Sequence, residues 1–272
     1  MNSNRDKLRQ IVNLIAIVAA FGTNIIANIA PFNGQTIGEI SNTLFQDVLI
    51  TPANYAFAIW GLIYLGLISF AIYQALPEQR QNFQLRQMGY LVAIASLAQI
   101  IWIFFFLYRL FALSFVATFG ILVPLIGAYQ SLSSGDRSPG RQQKWFVCVP
   151  ISIYLAWISV ATIVNGAIVL DYWNWNGWGI EPPIWTAIVL FVATAIAATV
   201  SIRRIDLAYT GVFVWAFVAI AMRNLNNSVI AATAGGLAIV LVIVGILSRM
   251  RRYSSSRGNV LRDIRVRSKK RG

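Results

Sequence analysis

Eight apolar stretches, each long enough to cross a bilayer as a helix, follow one another along this chain with short connections between them. In hydrocarbon every backbone N–H and C=O needs a partner within the protein, which leaves helices or closed barrels as spanning structures. A helix rises ~1.5 Å per residue against a hydrocarbon core of about 30 Å. On that scale spans are predicted near residues 11–30, 55–76, 90–108, 110–130, 146–170, 183–202, 207–222 and 229–247. The seventh is short and runs into a polar end, Asn224 to Asn227. Composition agrees, since 58% of residues are hydrophobic and 11% charged, where soluble domains carry about 25% charged. The expectation is an all-α, polytopic transmembrane helix bundle.

The basic residues test the number of spans, because Lys and Arg favour cytoplasmic loops. With the N-terminus inside, Arg5, Lys7, Arg9, Arg80, Arg86, Arg137, Arg141, Lys144, Arg203, Arg204 and every basic residue from Arg249 onward fall inside. Only Arg109 and Arg223 fall outside. A wrong count would scatter them over both faces, so both termini are expected in the cytoplasm, in a plasma or other energised membrane. The first span is followed by Pro31, Phe32, Asn33 and Gly34 rather than a small-residue cleavage site, so it is expected to remain as helix one.

The net charge of +13 sits largely in the segment after residue 248 and calls for no nucleic acid. A disordered basic tail there would bind anionic lipid headgroups at about 1 kcal/mol per basic residue, with Ser254 to Ser256 as a second reading, a phosphorylation or docking site. The chain has no histidine and one cysteine, Cys148, which removes the usual metal, haem and disulfide chemistry and the His-activated nucleophiles. No cofactor, metal site or catalytic residue is expected. The nine acidic residues read as loop or tail positions, against proton-coupled transport. The polar residues within spans are neutral: Asn13, Asn24, Asn28, Gln99, Thr162 and Asn165.

The fifth stretch, PISIYLAWISVATIVN, carries the sharpest signal. At ~3.6 residues per turn Tyr154, Trp157, Ala161 and Asn165 share one helical face. An amide facing lipid is costly, so this face should look into a bundle or a pocket. With TPANYAFAIWGLIY and LAQIIWIFFF, in that order and spacing, it resembles the fifth, second and third helices of the translocator protein/tryptophan-rich sensory protein (TspO/MBR) family. The resemblance covers about residues 8–172. The Trp-x-Pro-Pro element of that family is reduced to Pro52, and Phe115 stands where an acidic residue is common. The sterol-recognition pattern is absent after Tyr172, so sterol binding is not implied.

The resemblance implies a five-helix domain at 1–172, followed by three further helices over 173–248 and the basic tail 249–272. It further implies a homodimer and a pocket for a hydrophobic planar ligand such as a tetrapyrrole, closed by a lid at 31–51. The residues it places around that pocket are Trp60, Tyr64, Gln99, Trp102, Phe106, Tyr154, Trp157, Ala161 and Asn165. Two rival readings are a multi-helix transporter of a small amphipathic solute and a porphyrin-degrading enzyme using Trp60 and Trp157. For the isolated residues, interhelical packing and hydrogen-bond glue stand beside the pocket reading. Trp173, Trp175 and Trp178, between spans five and six, read as an interfacial aromatic belt. The small-residue run Thr233 to Gly236 suits close helix packing.

Overall fold

The computed structural model describes residues 3–132 and 140–269, with side chains described over 4–132 and 140–251. Its backbone is helical wherever the sequence is apolar. Helix α1 covers Ser3–Ile29, α2 Ile37–Thr43, α3 Ile59–Ala75, α4 Phe83–Met88, α5 Leu91–Leu107 and α6 Phe111–Ser131. There follow α7 Arg141–Gln143, α8 Val149–Tyr172, α9 Pro182–Arg204, α10 Leu207–Arg223 and α11 Ser228–Lys269. Six helices are long and apolar enough to cross a membrane. The two shorter ones, α5 and α10, have 17 residues each, the lower end of the spanning range. An integral membrane bundle of the predicted eight apolar helices results.

Local chemistry sets the ends. Asp206 caps α10, its Oδ1 accepting from the Ala208 and Tyr209 amides at 3.0 Å. Pro182 opens α9, where a missing amide proton leaves no bond unmade. Ile205, at φ 53°, ends that helix in the left-handed conformation. A π-helical turn over Lys144–Cys148 runs into α8 just before Pro150. Proline cannot donate to the helical ladder, and a widened turn is one way a helix accommodates that gap.

Contacts α1–α3, α3–α8, α8–α6, α6–α5 and α5–α1 close a ring of five helices, while α9, α10 and α11 pack on one another and meet the ring through α10 against α8. Small residues bring neighbours close. A side-chain carbon on Gly66 would lie 3.1 Å from Pro150 Cβ, and one on Gly166 would lie 3.1 Å from the Phe115 ring. Phe115, unlike an acid, thus fills the gap that Gly166 leaves between α6 and α8.

Charged and polar side chains join at one end of the bundle. Arg86 donates to both oxygens of Asp6 (3.1 and 2.6 Å), Arg9 to the Arg80 carbonyl, and the Arg204 guanidinium lies 5.5 Å from the Tyr129 ring centre. Arg109 and Arg223 occupy the other end, beside the segment between α1 and α3. The segregation read from sequence is therefore present in the bundle; Arg137 lies outside the described residues, as do the side chains of Ser254 to Ser256.

Three expectations need correction. The basic segment after residue 248 continues α11 as helix through Lys269, having no proline and many good helix formers. Asp6, Glu39 and Asp171 lie in helix ends rather than loops; the Asp6 carboxylate pairs with Arg86 and that of Glu39 caps α2. Of the small-residue run, Ala234 is buried, but Gly235 and Gly236 face open space, so the glycines bring no helix of this chain close.

Candidate functional site

A cavity of about 50 Å³ sits at the lid end of the five-helix ring. Its walls are Trp60 of α3, Trp102 and Phe106 of α5, and Trp157, Val160, Ala161, Val164, Asn165 and Ile168 of α8. Ile37 and Ser41 of α2 and Pro52 and Phe57 from the approach to α3 close it. The segment joining α1 to α3 is therefore a lid in geometry, contributing four wall residues. Phe57 meets Trp157 edge-on at 6.1 Å, and Trp102 tilts against Phe106 at 5.4 Å.

Helix α2 holds its shape through a capping box. Thr36 Oγ1 accepts from the Glu39 amide at 3.2 Å, and Glu39 Oε2 accepts from the Thr36 amide at 2.6 Å and hydroxyl at 2.9 Å. These bonds favour the carboxylate, so the Glu39 pKa falls below its ordinary 4.5.

Six of the nine residues proposed from sequence line this cavity: Trp60, Trp102, Phe106, Trp157, Ala161 and Asn165. The other three form a hydrogen-bond chain away from its wall. Tyr154 donates to Gln99 Oε1 at 2.5 Å, Gln99 Nε2 donates to the Tyr64 hydroxyl, and Tyr64 donates to the Ala20 carbonyl at 3.2 Å. Both ends of the Gln99 amide are thus engaged by α3 and α8, which spends them on joining helices rather than on the cavity. Tyr64 and Tyr154 still touch the site through Trp60, whose ring stacks on Tyr64 at 5.8 Å and meets Tyr154 at 6.2 Å.

Sequence reasoning missed Val160, Val164 and Ile168. Together with Trp157, Ala161 and Asn165 they repeat at three- and four-residue steps, so the cavity face of α8 is the predicted stripe rotated slightly and shifted toward the lid. The signal was present as spacing, but valine and isoleucine in an apolar helix do not stand out. Two other polar residues named from the sequence are bonded structurally: Asn13 bridges the Arg9 and Gly89 carbonyls to the Ala93 amide, and Thr162 bonds the Ile158 carbonyl. Trp178 and Trp173 are exposed, in keeping with a belt, while Trp175, Trp178 and Trp185 pack their rings 5.2–5.7 Å apart.

Trp102 is 8% exposed and its Nε1–H has no acceptor among the described residues. Asn165 Oδ1 lies 3.1 Å from Ser114 Oγ, whereas its Nδ2 has no partner there. An N–H left without an acceptor in such surroundings costs about 1–3 kcal/mol. The wall holds no carboxylate, amine, guanidinium or thiol. A second void, about 10 Å³ and wholly apolar, lies between α8, α9 and α10 and shares Val160 and Val164 with the first.

A family model described as TSPO-like protein matches residues 10–247. That range runs beyond the segment compared by motif and takes in the three C-terminal helices. No curated protein and no solved structure matches the chain.

Proposed function

The chain belongs to the TSPO-like protein family, and from that premise we propose that it is a membrane receptor or carrier for a hydrophobic planar ligand of the tetrapyrrole kind. The observation that carries this reading is a cavity walled by three tryptophans with an unpartnered indole N–H on Trp102. Aromatic faces suit a planar apolar ligand. The Trp102 N–H and Asn165 Nδ2 suit an acceptor at its edge, a carbonyl or carboxylate. An acceptor reaching Trp102 would recover the desolvation cost that its buried N–H now carries. The neutral wall offers stacking, apolar contact and hydrogen bonds, so binding is non-covalent.

Size adds a condition. Sites for drug-sized ligands run to about 300–1,000 Å³, and the cavity has about 50 Å³. A tetrapyrrole enters only when the lid moves away from α8, so occupancy and lid position are linked, which is what a sensor or a gated carrier needs. The test is titration of the detergent-purified protein with protoporphyrin IX while following tryptophan emission. Trp60, Trp102 and Trp157 lie at the site, so emission should quench saturably. Emission that changes no more than that of free tryptophan at equal absorbance would remove the tetrapyrrole reading.

A further inference from the structure

We propose that the end of α10 is the latch of the lid, so that the three C-terminal helices set how readily the pocket opens; the pocket's role as a ligand site is taken from the reading above. Trp215, Ala219 and Arg223 recur at four-residue steps and form one stripe along α10. Every member of that stripe is bonded to the lid. Trp215 Nε1 donates to the Ala56 carbonyl at 3.1 Å, and the Ala219 carbonyl accepts from the Ala53 amide at 3.1 Å. Arg223 donates to Asn42 Oδ1 at 3.1 Å and to the Phe45 carbonyl at 3.3 Å. Asn224 Nδ2 adds a bond to the Leu49 carbonyl at 2.9 Å, and Tyr55 meets Trp215 edge-on at 5.2 Å.

The bonded lid positions, 42, 45, 49, 53 and 56, are spread across the stretch that runs between Ser41 and Phe57 at the cavity wall. The lid cannot leave α8 while these bonds stand. Its beginning is held separately on the turn between α5 and α6. There Asn33 donates to the Leu107 carbonyl at 3.0 Å, Arg109 to Gln35 Oε1 at 2.8 Å, and Phe32 packs on Phe104. The lid is therefore anchored to the five-helix ring at one side and latched to α10 at the other.

The opposite end of α10 is pinned. Asp206 Oδ2 accepts from Tyr129 of α6 at 2.9 Å and Ser152 of α8 at 2.5 Å. Latch and pin are about 25 Å apart along a 17-residue helix. A tilt of α10 about Asp206 moves the latch most and the pin least, which makes α10 a lever from the C-terminal helices to the lid.

The test uses the full chain in detergent, without ligand, and reads hydrogen exchange of the lid amides by mass spectrometry. In Arg223→Ala/Asn224→Ala, amides over residues 40–56 should exchange about tenfold faster or more, while α5 and α6 keep their protection. A second variant, Ala53→Cys/Ala219→Cys with Cys148→Ser, places two cysteines where the backbones already bond. Oxidation should slow lid exchange, and reduction restore it. Lid exchange unchanged in the first variant, or unaffected by the crosslink, overturns the latch. Should the first variant fail to fold, the crosslinked chain decides alone. In a parallel arm, protoporphyrin IX should associate faster with the first variant and slower with the crosslinked one. Lid exchange that responds as expected, with no protoporphyrin IX binding to any variant, supports the latch and refutes the ligand.

Discussion

Replacing Gln99 by leucine should destabilise the bundle, and adding Tyr154→Phe should recover part of the loss. Tyr154 is fully buried and donates to Gln99 Oε1, while Gln99 Nε2 donates to Tyr64. Gln99→Leu strands the Tyr154 hydroxyl, at about 1–3 kcal/mol, and removes the second bond, at about 0.5–1.5 kcal/mol. Interhelical hydrogen bonds in membranes average about 0.6 kcal/mol, which points to the lower half of that range, roughly 2 kcal/mol in all. Once Tyr154 is also phenylalanine, neither partner of the first bond remains, and that bond's contribution falls close to zero. The double variant should therefore be more stable than Gln99→Leu alone by about 1 kcal/mol, or about 2–4 °C in melting temperature for a chain of this size. Thermal unfolding of both single variants, the double and the parent in one detergent gives the full cycle. Additive losses would refute the hydrogen-bond chain. A large fall in protoporphyrin IX affinity in Gln99→Leu would return that residue to the pocket.

Asn165→Leu should do the reverse, lowering protoporphyrin IX affinity roughly tenfold, about 1.4 kcal/mol, with little change in melting temperature. A destabilised variant that binds normally would make Asn165 structural. Lid behaviour should depend on acid. Because the Glu39 pKa is depressed, its contribution to α2 is fully present above about pH 4.5 and is lost as pH falls through the lowered value. An environment-sensitive dye on Gly38→Cys, where a side chain meets open space, should report that transition, and Glu39→Gln should abolish it; coincident pH profiles would count against the capping box as a lid element.

The helices were legible because a bilayer requires long apolar runs, and the charge pattern fixed their number. Trp60, Trp102, Trp157 and Asn165 were legible through the motifs that resemble the TspO/MBR helices, since an isolated aromatic or amide in such a run reads as well as packing or hydrogen-bond glue. Gln99 and Tyr154 carry the same signature and fall beside the cavity instead. Spacing places residues on a face, but whether an amide meets a ligand or a tyrosine depends on how three helices come together. Ile37 and Ser41 lie in the lid that the resemblance implied at 31–51 and Phe57 in the predicted second span, yet none of the three was singled out as a wall residue. Sequence spacing does not mark which side chains of a lid meet the bundle, and only the folding of this segment over the ring brings them to the wall. Nothing in the sequence tied Arg223 to the lid, since its partners Asn42 and Phe45 lie some 180 residues away and the second is met through its backbone carbonyl, which leaves no mark in a sequence.

Val160 and Val164 stand one turn apart on α8 and face two voids at once, the aromatic one and the smaller one toward α9 and α10. Each lines both, so the side chains at these two positions bear on the shape of either void. On the ligand reading proposed above, the size of what fits would depend on these two positions as well as on the tryptophans. A shorter residue at either position should widen the space between the voids, joining the tryptophan-walled one to an apolar one bordered by Leu190, Ala193, Phe217 and Ile220. On that same reading, such a change would extend the range from flat molecules to flat molecules bearing a hydrocarbon chain, with every tryptophan of the site in place.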